Sequence, residues 1–122
     1  MDEKPGIIFI HFNEIEAMQL LERYFPANAE VQVHFSTHET LKPQTKNISA
    51  VVISLERLPS HGKQYAMYYR SSAARRKIPL IFAGGKSEKV DAYRELFPDA
   101  FFCNFEGLSE ILSDINRKDA LN

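Results

Sequence analysis

The sequence predicts an α/β protein: a single three-layer α/β/α sandwich around a five-stranded parallel sheet, with the expected strand order 2-1-3-4-5. The hydrophobic period alternates between two and 3.6 along the chain, as in repeated strand-helix units. Several short segments are apolar almost throughout, which is typical of parallel strands covered on both faces. A length of 122 residues is enough for one domain with a real core but too short for two. We therefore expect one domain over residues 1–122, with residues 116–122 frayed.

The first strand and helix have clear sequence signals. Residues 7–10 form a nearly continuous apolar run and predict strand one. Asn13 is expected to cap the next helix, with Glu16 as its capping-box partner, and Pro26 ends this helix. The inward stripe of this helix is expected to consist of Ile15, Met18, Leu21 and Phe25.

The second strand is expected near an edge of the sheet. Residues 31–35 alternate apolar side chains with Gln32 and His34, so that one face of the strand is wetter. Residues 37–46 contain Pro43 and predict only a short or broken helix.

The middle of the chain predicts a central strand and a basic helix. Residues 50–55 are apolar except for Ser54, and a loop through Pro59 and Gly62 leads to a helix over residues 63–75. Four residues of this helix offer a flank that can pack on the sheet: Tyr65, Ala66, Tyr69 and Ala73. Met67 and Tyr68 are then expected to be partly exposed.

The last third of the chain contains two more strands and two more helices. Residues 78–83 predict strand four, and residues 84–86 turn into a helix that Ser87 is expected to cap. The inward residues of this helix are expected to be Val90, Tyr93, Leu96 and Phe97. Residues 100–103 predict strand five, and the stripe of the final amphipathic helix consists of Leu108, Ile111, Leu112 and Ile115.

Composition excludes several classes of protein. With 44% hydrophobic and 25% charged residues, the chain is neither disordered nor fibrous. Its longest apolar runs are far shorter than a membrane span, and its first residues lack a secretory signal. Cys103 is the only cysteine, so no intrachain disulfide forms, which fits a reducing compartment. We infer a cytoplasmic protein with no membrane association, and nothing in the sequence implies a cofactor.

Charge is unevenly distributed along the chain. Residues 57–77 contain six basic side chains and no acidic one, whereas residues 1–56 contain four basic and eight acidic, and residues 78–122 contain five and eight. The net charge is nevertheless −1. One segment therefore holds most of the positive potential.

In a parallel α/β fold, ligands bind beside the loops at the carboxyl ends of the strands. The candidate residues for a ligand or partner in these loops are His11, Asn13, Glu56, Arg57, Ser60, His61, Gly84, Gly85 and Lys86. They follow strands one, three and four.

The segment AVVISLERLPSHG, residues 50–62, resembles the central strand and following loop of a response-regulator receiver domain. The order of elements, the loop lengths and the spacing of Pro59 and Gly62 match that family over nearly the whole chain. The family's reactive positions do not match: Leu55 stands at the phosphoacceptor aspartate, and the other substitutions are His11 and Phe12 at the acidic pair, Gly84 at the hydroxyl residue and Asn104 at the lysine.

The resemblance implies a degenerate pseudo-receiver with a flavodoxin-like fold. Phosphoryl transfer to a carboxylate needs magnesium held by carboxylates and a cation that balances the developing charge. Because these groups are missing, we expect a phosphorylation-independent module that acts in signal transduction by binding another protein or by self-association. The alternative is a domain that binds a small anionic ligand, such as phosphate or a nucleotide, with the loops at the strand ends.

The loop Gly84-Gly85-Lys86-Ser87 has a functional and a geometric interpretation. Two glycines and a lysine at a helix start can bind an anion. The sequence lacks the GxxxxGK[ST] spacing, however, and a tight turn that needs glycine for its backbone angles is the preferred interpretation.

No arrangement of residues predicts an enzyme or a metal site. His11, His61 and Glu56 can in principle meet at one edge of the sheet, but no metal-ligand spacing supports such a site. Ser60 lies directly before His61, without an acidic residue to orient the histidine, and is interpreted as a helix cap or turn residue. Cys103 is expected to be buried and inert.

The basic segment supports the sharpest hypothesis. Its candidate interface residues are Lys63, Arg70, Arg75, Arg76 and Lys77. Mixed with exposed methionine and tyrosine they resemble a protein interface. Nucleic acid is disfavoured as the partner by the overall pI of about 6.4. A solvated helix whose charges balance the acidic flanks remains an open alternative.

Overall fold

The computed structural model describes residues 6–35, 48–56 and 59–121. Within them, five parallel strands form one sheet in the order β2-β1-β3-β4-β5, which confirms the predicted fold class and strand order. The strands are β1 (Gly6–Ile10), β2 (Glu30–His34), β3 (Ile48–Ser54), β4 (Leu80–Ala83) and β5 (Phe101–Cys103). This is the strand order of flavodoxin-like folds.

Helices cover both faces of the sheet and complete the three layers. Within the described ranges they are α1 (Glu14–Tyr24), α2 (Pro59–Arg70), α3 (Ser87–Leu96) and α4 (Leu108–Leu121). Two short 3-10 turns are also present, Arg75–Lys77 before β4 and Phe105–Gly107 after β5.

The two faces of β1 contribute to two separate hydrophobic cores. Ile7 and Phe9 pack with α1 and α4, whereas Ile8 and Ile10 pack with α2 and α3. All five residues of β1 are buried, because the strand is paired on both sides and covered by helices above and below. Burial on both faces explains why residues 7–10 are apolar without interruption.

The buried stripe of α1 differs from the predicted one. Ile15 and Met18 are exposed, with 73% and 49% of their surface accessible, whereas Ala17 is fully buried. Leu20 and Leu21 pack beside it. Both stripes repeat every three or four residues, so periodicity does not choose between them, and the small side chain of Ala17 is the one placed against the sheet.

Helix α2 starts and ends earlier than predicted. It begins at Pro59 and ends at Arg70, so Ser60 lies inside the first turn and is not the cap. Beyond Arg70 the chain bends, because Ser71 turns back on the helix: its backbone N and its Oγ both donate to the carbonyl of Tyr68. Ala73 consequently lies outside the helix and is exposed.

Helix α3 has the predicted position but a different cap and a narrower buried stripe. The N-cap is Lys86, without a side-chain cap bond, and Ser87 is the first helical residue. Tyr93 and Phe97 are buried as expected, whereas Leu96 is 53% exposed at the end of the helix.

Strand β2 lies at an edge of the sheet, as its alternating pattern predicts. His34, expected on the wetter face, is nevertheless buried. The broken helix predicted over 37–46 lies outside the described residues, as does Arg57. No helix in the described part of the chain combines the length and the apolar character needed to cross a membrane.

Candidate functional site

His11, Glu16 and Glu56 meet at the carboxyl edge of the sheet, where the strands end. His11 follows β1, Glu56 follows β3, and both line a cavity of about 440 Å³ that Glu16, Tyr24 and Phe105 also line. His11 and Glu56 lie at the edge where the sequence predicts them. Glu16 was expected only as the capping-box partner of Asn13.

The N-terminus of α1 positions Glu16 against His11. Asn13 caps α1 as predicted, since its Oδ1 accepts a hydrogen bond from the backbone N of Glu16 at 3.0 Å. The carboxylate of Glu16 bonds Nε2 of His11 at 2.9 Å. The backbone N of Asn13 donates to the carbonyl of His11. Glu16 thus takes part in both contacts, through its backbone N with Asn13 and through its carboxylate with His11.

His11 is a buried group with one bonded ring nitrogen. Only 1% of its surface is exposed, and within the described residues its Nδ1 has no hydrogen-bond partner. Because a carboxylate only accepts hydrogen bonds, Nε2 of His11 is the donor to Glu16. The pair is suited to holding the start of α1 against the end of β1.

Leu55 and Glu56 face opposite sides of the sheet. Leu55 is buried in the core beneath α2 and α3, whereas the exposed Glu56 reaches the cavity beside α1. Successive side chains of a strand alternate between the two faces of the sheet. The Glu56 carboxylate therefore points to the face opposite the Leu55 side chain.

The glycine loop after β4 has backbone angles that favour glycine. Gly84 and Gly85 have φ values of +75° and +90°. A Cβ at Gly85 would lie 2.5 Å from Cβ of Leu55, and one at Gly84 would lie 2.6 Å from Oε1 of Glu56. The backbone N of Gly84 already donates to the carbonyl of Cys103 at 3.0 Å. These contacts fit a tight turn better than an open anion cradle.

A second cavity of about 440 Å³ lies beside this loop, between α3 and the edge strand β5. Gly84, Gly85, Arg94 and Cys103 are among the residues that line it. Burial raises the pKa of the Cys103 thiol to about 11. Cys103 was expected to be buried but is only half-buried, and its thiol is protonated at neutral pH.

The remaining carboxyl-edge candidates lie at the starts of helices. Ser60 and His61 belong to the first turn of α2, and Lys86 precedes α3. Across residues 6–35, 48–56 and 59–121, no cluster of three or more histidine, cysteine or acidic residues is arranged to hold a metal ion.

The basic candidates divide between the two ends of α2. Lys63 lies near the start of the helix and Arg70 at its end, about 10 Å away along the helix axis. Because a crossover helix runs antiparallel to the strands that it connects, Arg70 reaches the amino edge of the sheet, opposite the carboxyl edge. Arg75, Arg76 and Lys77 form the 3-10 turn that follows.

Arg75 is fixed against the end of α2. Its Nε donates to the carbonyl of Tyr68 at 3.0 Å, and its Nη2 donates to Oγ of Ser71 at 2.9 Å. The guanidinium carbon lies 4.0 Å from the centre of the Tyr68 ring. A cation thus satisfies one of the last carbonyls of the helix, where the helix dipole favours it.

Arg70 and Arg76 exchange hydrogen bonds with each other's backbone. Nη1 of Arg70 donates to the carbonyl of Arg76 at 3.1 Å, and Nε of Arg76 donates to the carbonyl of Arg70 at 2.7 Å. This reciprocal pair holds the turn after α2 in place. The sequence predicted a basic surface here without indicating that its arginines cap the helix.

A groove of about 450 Å³ separates the end of α2 from the end of α3 at the amino edge, and we call it the amino-edge groove. Met67, 55% exposed, and Leu96 provide apolar surface on its two sides. The other residues that line it are Arg70, Ser71, Arg76, Phe97, Pro98 and Asp99. The sequence does not predict the part contributed by α3, because the position of Leu96 in the helical repeat indicates a core residue.

An aromatic cluster that the sequence does not predict lies between β2 and α2. Nε2 of His34 lies 2.6 Å from the hydroxyl of Tyr65, and the Phe12 ring packs against both side chains. The cluster connects β2, α2 and the loop after β1, which explains the burial of His34. Nearby on α2, burial raises the pKa of Tyr69 to about 12, and within the described residues the hydroxyl of Tyr69 has no partner.

The molecule therefore presents two distinct candidate surfaces, a carboxyl edge with a bonded histidine and two glutamates, and an amino-edge groove with fixed arginines and exposed apolar side chains. No protein-family model and no curated protein matches this chain, so its function is inferred from these surfaces and from the fold.

Proposed function

We propose that this chain is a non-phosphorylatable, receiver-like module that uses the amino-edge groove for protein–protein interaction, with another protein or with a second copy of itself. The observation that supports this most directly is the combination of exposed Met67 and Leu96 with the guanidinium groups of Arg70 and Arg76. Methionine and arginine are enriched at protein interfaces. Side chains already held in one conformation lose less entropy on binding.

The carboxyl edge supports the phosphorylation-independent part of the proposal. Leu55, at the position of the phosphoacceptor, is buried and packed against Gly85. The carboxylate of Glu16 is bonded to His11, and that of Glu56 lies over Gly84 on the other face of the sheet. We expect incubation with acetyl phosphate and magnesium to leave the mass of the protein unchanged.

Binding of a small anion at the carboxyl edge is the second candidate function. The start of α3 and the nearby Arg94 favour it, since helix N-termini and arginine attract anions. The Glu56 carboxylate over Gly84 opposes it electrostatically. Titration with inorganic phosphate and with nucleotides, followed by thermal melting, tests this candidate. A rise in melting temperature that Lys86→Ala or Arg94→Ala abolishes would favour it over protein binding.

The main experiment compares partner capture by three forms of the protein. Met67→Gln combined with Leu96→Gln removes the apolar surface of the groove at exposed positions, so the fold should persist. Phe101→Thr, at an exposed apolar position on β5, is the matched control. We expect the groove variant to lose proteins that the wild type and the control retain from a lysate of the source cells.

The arginines are less suitable for this first test. Arg70, Arg75 and Arg76 bond backbone carbonyls around the end of α2, so reversing their charge also perturbs the helix terminus. Equal capture by the wild type and the groove variant would place the interface elsewhere and overturn the proposal.

A further inference from the structure

Helix α1 presents an exposed surface that is both apolar and acidic. Ile15 and Met18, one turn apart, are among the most exposed large hydrophobic side chains in the described residues. Glu14 and Glu22 are exposed on the same helix. Arg23, the basic residue in the last turn, lies over the ring of Tyr24, 5.5 Å from its centre. We call the surface formed by Glu14, Ile15, Met18 and Glu22 the α1 face.

The amino-edge groove has the opposite charge and a matching apolar centre. Arg70 and Arg76 lie on one side of it together with Met67, and Leu96 lies on the other side. Asp99 is the acidic residue among its lining, and the exposed Lys77 adds a further positive charge beside Arg76. Each of the two arginines uses one N–H in the reciprocal pair, and a guanidinium has five.

These two surfaces cannot meet within one molecule. α1 packs on the face of the sheet that contains Phe9 and Val52, whereas α2 and α3 pack on the face that contains Ile10 and Ile53. The sheet therefore lies between the α1 face and the groove. Contact between them requires two copies of the chain.

We infer that the partner of the amino-edge groove is the α1 face of a second copy of this chain. The inference rests on the proposed function, because it names the occupant of the same groove. Ile15 and Met18 of one copy enter between Met67 and Leu96 of the other. Glu14 and Glu22 lie at the rim with the guanidinium groups of Arg70 and Arg76. Complementary charges of this kind set orientation and suppress wrong partners.

The contact is heterologous, since it joins two different surfaces of the same chain. A heterologous contact leaves one free groove and one free α1 face at the ends of every assembly, so that it closes into a ring or continues to grow. The apolar contact is small, so the association is weak and appears at high protein concentration. It weakens as ionic strength rises, because its charged rim is screened.

Two variants separate the two surfaces. The groove variant, Met67→Gln with Leu96→Gln, retains the α1 face, whereas the helix variant, Ile15→Gln with Met18→Gln, retains the groove. All four positions are exposed, and glutamine is a good helix former, so both variants should fold. Circular dichroism and thermal melting verify this.

Sedimentation velocity over a wide concentration range is the measurement. We expect the mean mass of the wild type to rise with concentration, and each variant alone to remain monomeric. An equimolar mixture of the two variants should form one-to-one pairs and nothing larger, because only one intact groove and one intact α1 face can meet. Phe101→Thr should associate like the wild type.

A monomeric wild type at all concentrations would overturn the inference, as would a mixture of the two variants that forms no pairs. Loss of association in Phe101→Thr would transfer the contact to the edge strand β5 and also overturn it. The proposed function is judged separately by partner capture. If the groove variant loses captured proteins while the wild type stays monomeric, the interface remains and self-association is excluded.

Discussion

The two edges of the sheet use their charged side chains in different ways. At the carboxyl edge, Glu16 is bonded to His11, and Glu56 lies over the glycine loop. At the amino edge, Arg70 and Arg76 are bonded to backbone carbonyls, with exposed apolar side chains beside them. Ligands of parallel α/β folds usually bind at the carboxyl edge. In this chain the groove at the opposite edge combines exposed Met67 and Leu96 with two arginines.

This difference has a simple physical cause. Leu55 extends the core beneath α2 and α3 up to the carboxyl edge, and the backbone of Gly85 packs against it. α2 ends early at the amino edge, and the turn after it brings Arg75 and Arg76 back to the helix terminus, where Arg70 already lies. At the carboxyl edge the glycine loop packs against Leu55, whereas at the amino edge arginines and exposed apolar side chains line a groove.

The largest expected effect tests the packing of the glycine loop against Leu55 at the carboxyl edge. Gly85→Ala adds a Cβ at a φ of +90° and places it 2.5 Å from Cβ of Leu55. Backbone strain and steric overlap together should lower the free energy of unfolding by about 3 kcal/mol. Urea denaturation measures this change. Gly107→Ala is the control, because its Cβ would lie 3.3 Å from Oδ1 of Asn104 without a positive φ. Equal losses in both variants would contradict the proposed packing.

The chemistry of Cys103 tests the same edge in another way. Burial raises the pKa of this thiol from 9.0 to about 11, so the reactive thiolate at pH 8 should be about a hundredfold less abundant than for an ordinary cysteine. We expect slow reaction with a disulfide reagent, with a rate that rises about tenfold per pH unit up to pH 11. A model cysteine peptide is the control. A rate at pH 8 equal to that of the peptide would show that the edge is open to solvent.

A smaller effect is expected at the amino edge. Arg75→Ala removes the bonds to Tyr68 and Ser71 and the contact with the Tyr68 ring. We expect a loss of about 1 kcal/mol in the free energy of unfolding. Arg75→Lys should recover little of it, since lysine keeps the charge but not the planar fork. Chemical denaturation of both variants and of Lys77→Ala, an exposed cation in the same turn, measures the difference. Full recovery in the lysine variant would assign the effect to charge alone.

The smallest expected effect compares two helix starts. Asn13→Ala removes the cap of α1 and should cost about 1 kcal/mol. Ser87→Ala should change the free energy of unfolding by less than about 0.5 kcal/mol, since α3 has no side-chain cap bond. Thermal and urea denaturation of the two variants test this difference. If Ser87→Ala lowered the free energy of unfolding as much as Asn13→Ala does, Ser87 would be the cap of α3, as the sequence predicts, and Lys86 would not.

Periodicity predicted the architecture well, because strands and helices in this fold bury whole faces. The apolar run of β1 and the alternation in β2 each identified a strand and its position in the sheet. Periodicity predicted the buried stripe of α4 correctly, since Leu108, Leu112 and Ile115 are buried, but it did not fix the buried face of every helix. Ile15, Met18 and Leu96 fit the repeat and yet are exposed, because neighbouring stripes on a helix have the same period.

The candidate surfaces were only partly predictable. His11 and Glu56 were expected at one edge because both follow parallel strands. The bond between His11 and Glu16 depends on how the start of α1 is oriented, and the amino-edge groove depends on how α2 and α3 end beside each other. The first is a contact at the junction of two elements, and the second joins segments that are far apart in the chain. A local sequence pattern encodes neither.

The amino-acid sequence alone predicted that this chain forms a five-stranded parallel α/β sandwich, because hydrophobic period and residue type are local properties. The tertiary structure decided that the basic segment divides between two edges and that its arginines cap α2. It also decided that exposed Met67 and Leu96 come together. These outcomes depend on where helices end and on which faces they bury, and only packing of the whole chain sets those.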